Sequence, residues 1–537
     1  MSRTVYFNGT VLTMDEEMPQ AGTVIVENGK IVRMEDSASG GCSQSDPHAD
    51  SSAVDGVRFV DLKGAVMLPA FLDPHSHFSG YASSQLQVPL EEAVNFGEIA
   101  DKIRNYIAAN HIPAGEWVVG KSYDHNNLEE QAHPDAALLD SAAPDNPVVI
   151  SHQSGHMGVF NTLALKLLSV TAQTESPEGG LIAKRDGIPT GYMEENAFVQ
   201  YQQKVPMSSP EDLVKAYLTV QEKYASYGIT TIQEGMLPSQ LVPLYQMLMQ
   251  KKMLKLDVVG YADAKEASSI LAALPENRCR YQNHFKLGGI KIFLDGSPQG
   301  RTAWMRSPYE GSTDYRGYNT LTDEQVEAFV RFAAQKNLQI LAHCNGDAAA
   351  AQYLSACSRI EAEGLPLKEV RPVLIHGQLL GTDQLPAMKR LGLIPSFFAA
   401  HVYYWGDTHI KNFGIARASH ISPAASALAA GVPFTFHQDT PVIEPNMLET
   451  VWCSVNRLTK KGVKLDAEAI PVKEALKAVT INAAYQYFEE NEKGSIRPGK
   501  RADFVILDQN PLTVPPMKLK DIKVLQTVKD GEIIYER

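Results

Sequence analysis

The sequence predicts an α/β fold: a parallel sheet closed as a TIM-type (β/α)8 barrel, with a small β-sandwich domain built from both termini. Three observations predict it. Short apolar strands alternate with helical stretches through the middle of the chain, the pattern of repeated βα units. Eight such strands can be counted, the number a closed parallel barrel uses. Both ends of the chain read instead as hairpins, so neither belongs to that repeat.

Residues 4–34 read as short strands. Asn8-Gly9 and Asn28-Gly29 separate their apolar runs, and Asn-Gly suits the positive-φ turns of tight hairpins. Residues 35–57 are rich in Ser, Asp and Gly and read as a surface loop or partly disordered segment. Barrel strands are expected at 67–73, 230–233, 256–261, 288–293, 338–341, 372–375, 394–398 and 432–436. The largest insertion, 78–205, follows the first strand. It carries a helix at 96–109 and a strand-like run at 147–151, and is expected as a cap over the barrel mouth. A strand at 502–507 and a hairpin turning on Lys529-Asp530-Gly531 close the chain. The expected domains are therefore 1–66 and 495–537 as the sandwich, and 67–494 as the barrel.

A chain of 537 residues can bury one large core and an accessory one. Its charge of 49 − 62 = −13, with no dense Lys/Arg stripe, leaves no electrostatic footprint for nucleic acid. The same balance argues against a polybasic membrane contact. The first eight residues lack the apolar stretch of a signal peptide, and no apolar run reaches the ~18 residues of a membrane span. The five cysteines, Cys42, Cys279, Cys344, Cys357 and Cys453, are odd in number and scattered, which argues against a disulfide framework. A cytoplasmic protein acting on a small molecule is expected, with a homo-oligomer left open.

The run Leu68-Pro69-Ala70-Phe71-Leu72-Asp73-Pro74-His75-Ser76-His77 carries the first chemistry. Residues i and i+2 of an extended chain point to the same side, so His75 and His77 can reach one metal ion from one strand. Two unrelated histidines in a surface turn are the bland alternative. His343 ends one apolar strand, His376 ends the next, and Asp439 follows Phe434-Thr435-Phe436-His437-Gln438. Each stands at the C-terminal end of its strand, where barrel active sites are built. One such histidine could be a hydrogen-bonded core residue; four such positions are harder to explain that way. Lys291, inside Gly288-Gly289-Ile290-Lys291-Ile292-Phe293, is a charge in an apolar strand. It reads as a snorkelling side chain, a barrel ion pair or part of the site.

The order His75-x-His77, Lys291, His343, His376, Asp439, after strands one, four, five, six and eight, resembles the amidohydrolase superfamily. The run Asp295-Gly296-Ser297-Pro298-Gln299-Gly300-Arg301-Thr302-Ala303 resembles its amidohydrolase-3 branch, that of N-substituted formamide deformylase-like metal-dependent hydrolases. So do Gly228-Ile229-Thr230-Thr231, Pro189-Thr190-Gly191, the stretch from His156 to Leu165, and the stretch from Gly494 to Asp503. The resemblance covers nearly the whole chain. Thr435-Phe436-His437-Gln438-Asp439 departs from it: the family more often has Gly-Ser-Asp, so Asp439 is kept among bulkier neighbours.

The resemblance implies a hydrolase of carbon–nitrogen bonds other than peptide bonds, with one or two divalent ions per chain, zinc above others. It implies His75, His77, Lys291, His343, His376 and Asp439 as ligands, with Lys291 a carboxylated lysine bridging two metals. Asp439 would take the proton of an attacking water and pass it to the leaving nitrogen, and His376 would ligate metal or contact the oxyanion. His156, His152 and Arg301 are candidate substrate contacts; Arg301 reads equally as a structural ion pair. The aromatic run Phe397-Phe398-Ala399-Ala400-His401-Val402-Tyr403-Tyr404-Trp405 is core packing or the wall of an apolar substrate pocket. Two rivals remain. One is a deaminase of an aminated heterocycle, a class that usually uses one metal and lacks the strand-four lysine. The other is a non-catalytic regulatory homologue, against which retention of all six polar positions speaks.

Overall fold

Eight parallel strands form the central sheet of the computed structural model, which describes residues 3–36, 56–125, 127–153, 157–206 and 209–537. They are β1 (Phe71–Leu72), β2 (Ile229–Leu237), β3 (Asp257–Asp263), β4 (Phe285–Phe293), β5 (Gln339–Cys344), β6 (Val373–His376), β7 (Ile394–Phe397) and β8 (Thr435–Phe436). Each pairs with its neighbour in sequence, and every pairing is parallel. Helices follow β2, β3 and β5 through β8, and another joins β4 to β5, which is the TIM-barrel arrangement. Beyond β1 and β8 the backbone N–H of His77 donates to Thr440 O at 2.7 Å.

The strands are buried along nearly their whole length, as parallel strands covered on both faces are. Leu72, Val259, Tyr261, Leu341, Val373, Ile375 and Ile394 share one core cluster with Ala483, Ala484 and Tyr487. The joining helix Asp323–Lys336 starts at a capping box, in which Thr322 and Gln325 satisfy each other's backbone N–H groups, and stops at Asn337 in the left-handed region.

Seven of the eight expected strands overlap observed ones. The strand expected at 67–73 is instead two. Val66–Pro69 pairs antiparallel with Phe504–Leu507, while Phe71–Leu72 pairs with β2. The change of partner falls at consecutive residues: Ala70 N–H donates to Asp503 O and Phe71 N–H to Gly228 O. Successive N–H groups of an extended chain face opposite ways, and Pro69 has none to give, so one apolar run serves two sheets.

The chain divides into two compact units, residues 1–78 with 220–537, and residues 79–219. In the first, N- and C-terminal strands share a sheet. One sheet runs Glu532–Glu536, Val524–Lys529, Phe504–Leu507, Val66–Pro69, Thr10–Leu12, Gln20–Ala21; a four-stranded sheet runs Lys30–Glu35, Thr23–Glu27, Arg3–Phe7, Val57–Asp61. Tyr6, Val24, Val26 and Ile31 share a core with Met67, Phe504, Ile506 and Val528. Most of the 35–57 loop lies outside the described residues.

The 79–219 unit holds a mixed six-stranded sheet: Gly180–Arg185, Ile188–Glu194, Met157–Phe160, Val148–His152, Val118–Tyr123, Val88–Pro89. The expected helix is Phe96–Ala109, capped by Asn95 accepting from Glu98 N–H. The expected strand is Val148–His152. No described helix is long and apolar enough to cross a membrane. Cys279, Cys344, Cys357 and Cys453 are free thiols.

Candidate metal centre

The site is assembled where β1, β2, β4, β5, β6 and β8 end. His75 N–H donates to Asp73 Oδ1 at 3.3 Å, which turns the chain just past β1. His75 Nδ1 lies 2.6 Å from Gln233 Oε1. The Gln233 amide nitrogen is already committed, donating to Pro74 O at 2.7 Å and Tyr487 Oη at 3.1 Å. The oxygen must therefore face His75, whose Nδ1 carries the proton, and Nε2 offers a lone pair to the centre.

His343 Nε2 lies 3.3 Å from Gly296 O and 3.1 Å from Asn345 Nδ2, and its Nδ1 faces the centre, 3.0 Å from His376 Nε2. The Gly296 loop is held by Asp295, which accepts backbone N–H bonds from Trp304, Asn345 and Gly346. His376 and Asp439 both take positive φ, 75° and 54°, conformations that non-glycine residues adopt mainly where the surroundings impose them. Those turns aim both side chains inward from the ends of β6 and β8.

The distances suit a cation. Two ligands on one tetrahedral ion at ~2.0–2.1 Å lie roughly 3.3–3.4 Å apart. Asp439 Oδ1 is 3.4 Å from His75 Nε2 and 3.3 Å from His77 Nε2. Lys291 Nζ is 3.3 Å from His75 Nε2, and Asp439 Oδ2 is 3.9 Å from His376 Nε2. One donor atom each from His75, His376 and Asp439 falls within a 4.8 Å span. Asp439 Oδ1 is buried, and among the described residues it makes no hydrogen bond. A buried carboxylate oxygen left this way is costly unless a cation satisfies it.

The electrostatics agree. Burial holds the His75 and His376 imidazoles well below their usual range, helped by Lys291 and His343 respectively. Burial and then Lys291 bring His343 down to about 4. Burial works to raise the Asp439 carboxyl, but the approach of His77, then His376 and His75, holds it well below the usual carboxylate range. Neutral imidazoles beside an ionised carboxylate are the ligand forms metals require. Lys291, buried on β4, is brought down to about 7 by burial, against the pull of Asp439.

All six expected ligands, His75, His77, Lys291, His343, His376 and Asp439, thus meet in one place. Arg301 does not join them: it donates to Glu310 O at 3.0 Å, and its guanidinium lies over the Tyr309 ring. His152 belongs to the 79–219 unit, beside Asp124 and His125. His156 lies outside the described residues. Phe398 of the aromatic run stands edge-on to His437, its ring centroid 5.3 Å away.

His437 is a residue of the centre that the strand-end pattern did not single out. Its ring centroid lies 5.1 Å from that of His75 and 5.0 Å from that of His376, and among the described residues neither ring nitrogen has a hydrogen-bond partner. The signal was present in its spacing: His437 precedes Asp439 by two, as His75 precedes His77. His401 and His409 form a second missed pair, 3.0 Å apart and stacked.

Residues 58–535 match the model of the Amidohydrolase family. The chain is 26% identical over 556 residues to N-substituted formamide deformylase of Arthrobacter pascens, covering 100% of this chain and 99% of the relative. It is 27% identical over 523 residues to the Protein LONG AFTER FAR-RED 3 of Arabidopsis thaliana, covering 94% and 86%. In fold it is similar to a solved metal-dependent hydrolase of Pyrococcus horikoshii, at a TM-score of 0.77 and 23% identity, with 96% and 99% of the two chains covered. A match over that span, on a strand-end set of histidines, lysine and aspartate, shows that the chain belongs to the amidohydrolase family.

Proposed function

We propose that the protein is a metal-dependent hydrolase of a non-peptide carbon–nitrogen bond in a small, partly hydrophobic molecule: an amide, an N-acyl or N-formyl group, or a cyclic amide. The observation that carries this reading is Asp439 Oδ1, buried 3.4 Å and 3.3 Å from two imidazole nitrogens and, among the described residues, without a hydrogen bond. His75, His77, Lys291, His343, His376 and Asp439 would hold one or two divalent ions, and imidazole with carboxylate suits zinc. When bound, such a metal supplies Lewis acidity and a water that ionises near neutral pH.

The chain's own residues do the rest. Asp439 takes the proton of the attacking water and returns it to the leaving nitrogen, which departs poorly unless protonated. His376 stands beside it as ligand or as contact to the developing oxyanion. Lys291, as a carbamate, would present two oxygens in place of one amine. The edge of Phe398 supports a hydrophobic part in the substrate, and the formamide deformylase relative supports the N-formyl class. The same reading takes the protein as cytoplasmic and its terminal sheets as a small β-sandwich.

Elemental analysis of the purified chain, paired with a hydrolysis screen over N-formyl, N-acyl and cyclic amides, tests it. Bound transition metal is expected, reduced in a His75→Ala/His77→Ala variant, with amide hydrolysis that a chelator abolishes. Equal metal content in both proteins would overturn the ligand set. Ammonia release from aminated heterocycles with no amide cleaved would overturn the reaction.

A further inference from the structure

We propose that Asp124, His125 and His152 form a second transition-metal site, carried entirely by the 79–219 unit and sharing no residue with the barrel centre. Three donor atoms converge there. His125 Nδ1 is 3.3 Å from His152 Nε2, Asp124 Oδ1 is 3.4 Å from His152 Nε2, and Asp124 Oδ1 is 3.8 Å from His125 Nδ1. These are near the ~3.3–3.4 Å edges of a tetrahedral face around an ion bound at ~2.0–2.1 Å. A cation at the centre of the triangle satisfies all three at once.

The framework holds the ligands from two adjacent parallel strands. His152 ends Val148–His152, and Asp124 and His125 directly follow Val118–Tyr123, with Tyr123 in register opposite His152. The register shifts between Gly120 and Tyr123, and Ser122 takes a positive φ of 66°. Such an irregularity re-aims the residues that follow it. It brings two consecutive side chains, Asp124 and His125, toward one strand-end neighbour.

The surroundings orient the donors as a metal site requires. Gln153 Nε2 donates to Asp124 Oδ2 at 2.9 Å, which occupies one carboxylate oxygen and turns the other to the triangle. His133 packs on His125 with ring centroids 4.0 Å apart, but it is a wall and not a ligand, because both its nitrogens are engaged. Tyr123 Oη lies 3.0 Å from His133 Nδ1, and Tyr192 Oη lies 3.2 Å from His133 Nε2 and donates to Glu194 Oε1 at 2.8 Å. The proton order is set by the last bond: Tyr192 gives its proton to Glu194, so His133 Nε2–H donates to Tyr192 and Nδ1 accepts from Tyr123. His125 packs against this fixed ring at an interplanar angle of 32°.

Two imidazoles and one carboxylate suit Zn(II), Co(II) or Ni(II) over Mg(II) or Ca(II), which prefer all-oxygen sets. Three protein ligands leave a fourth position for water or a ligand, the arrangement of exchangeable sites.

Cobalt titration of the full-length chain tests the proposal with the barrel ligands removed. A His75→Ala/His77→Ala/His343→Ala/His376→Ala protein should still bind about one Co(II) per chain, with the visible absorption of tetrahedral cobalt. Adding His125→Gln and His152→Gln should abolish that equivalent while the circular dichroism is unchanged. No stoichiometric cobalt in the first protein, or an equivalent that survives in the second, would overturn the site. If the barrel variant does not fold, the His125→Gln/His152→Gln protein on its own decides: its zinc content should fall by about one equivalent below that of the unaltered chain. Unchanged content there would overturn the proposal equally.

Discussion

His75 Nδ1 and Gln233 Oε1 stand 2.6 Å apart, although 158 positions separate them in the chain. The contact fixes the tautomer of His75, so that Nε2 faces Asp439 and Lys291. Gln233→Leu removes the acceptor without adding charge. The variant is expected to bind zinc about 10–100-fold more weakly, the usual effect of removing a ligand's supporting hydrogen bond. Competition with a chromophoric chelator measures this, and unaltered affinity in a folded variant would show that Gln233 does not orient the ligand.

Lys291 tests the number of metals. A carbamate on its Nζ should appear as a new carbonyl resonance when the protein is loaded with zinc in ¹³C-labelled bicarbonate, and the resonance should be absent from Lys291→Met. A fully zinc-loaded barrel centre with one ion and a free amine at Lys291 would refute the bridge, while leaving single-metal hydrolysis intact.

Asp439→Asn keeps the size of the side chain and removes its basic oxygen. Turnover is expected to fall by about two to four orders of magnitude while metal content is largely retained, since several other ligands remain. Measuring both in one preparation separates the roles. Metal lost in step with activity would make Asp439 only a ligand, and near-normal turnover in the metal-loaded variant would rule out the proton shuttle.

Away from the centre, a buried charge network predicts an acid limit to stability. Burial acts to raise the Glu489 carboxyl, but Lys493, 2.7 Å away, and Lys286 outweigh it and hold the group at about 2, below its ordinary 4.5. Asp257, beside Lys493 and Lys529, is likewise held well below the carboxylate range, burial again opposing. A carboxyl depressed in the folded state contributes stability that is complete above its unfolded value. That contribution is lost as the pH falls from about 4.5 towards about 2. The melting temperature should therefore drop steeply below about pH 4.5. Glu489→Gln should melt lower at neutral pH and lose part of that acid slope. An identical slope in the variant would show that the pair carries none of it.

The barrel and its ligands were legible because parallel strands obey a simple rule. Each strand delivers the residue at its C-terminal end to the same face, so His343, His376 and Asp439 could be placed by where their apolar runs stop, and His75 with His77 by a spacing of two. His437 carries the same spacing before Asp439, but the strand-end pattern gave it no role of its own. The run at 67–73 was read as one strand because apolar character does not show which sheet takes each N–H.

The residue types, their order and their strand-end positions therefore determined the family of the chemistry from sequence alone. Only the tertiary structure decided which imidazole nitrogen faces the centre, because that choice lies with partners such as Gln233 and Gly296, remote in the chain. It alone brought Asp124 and His125 to His152, because the register of neighbouring strands is set by long-range pairing and by a local irregularity that no periodicity records.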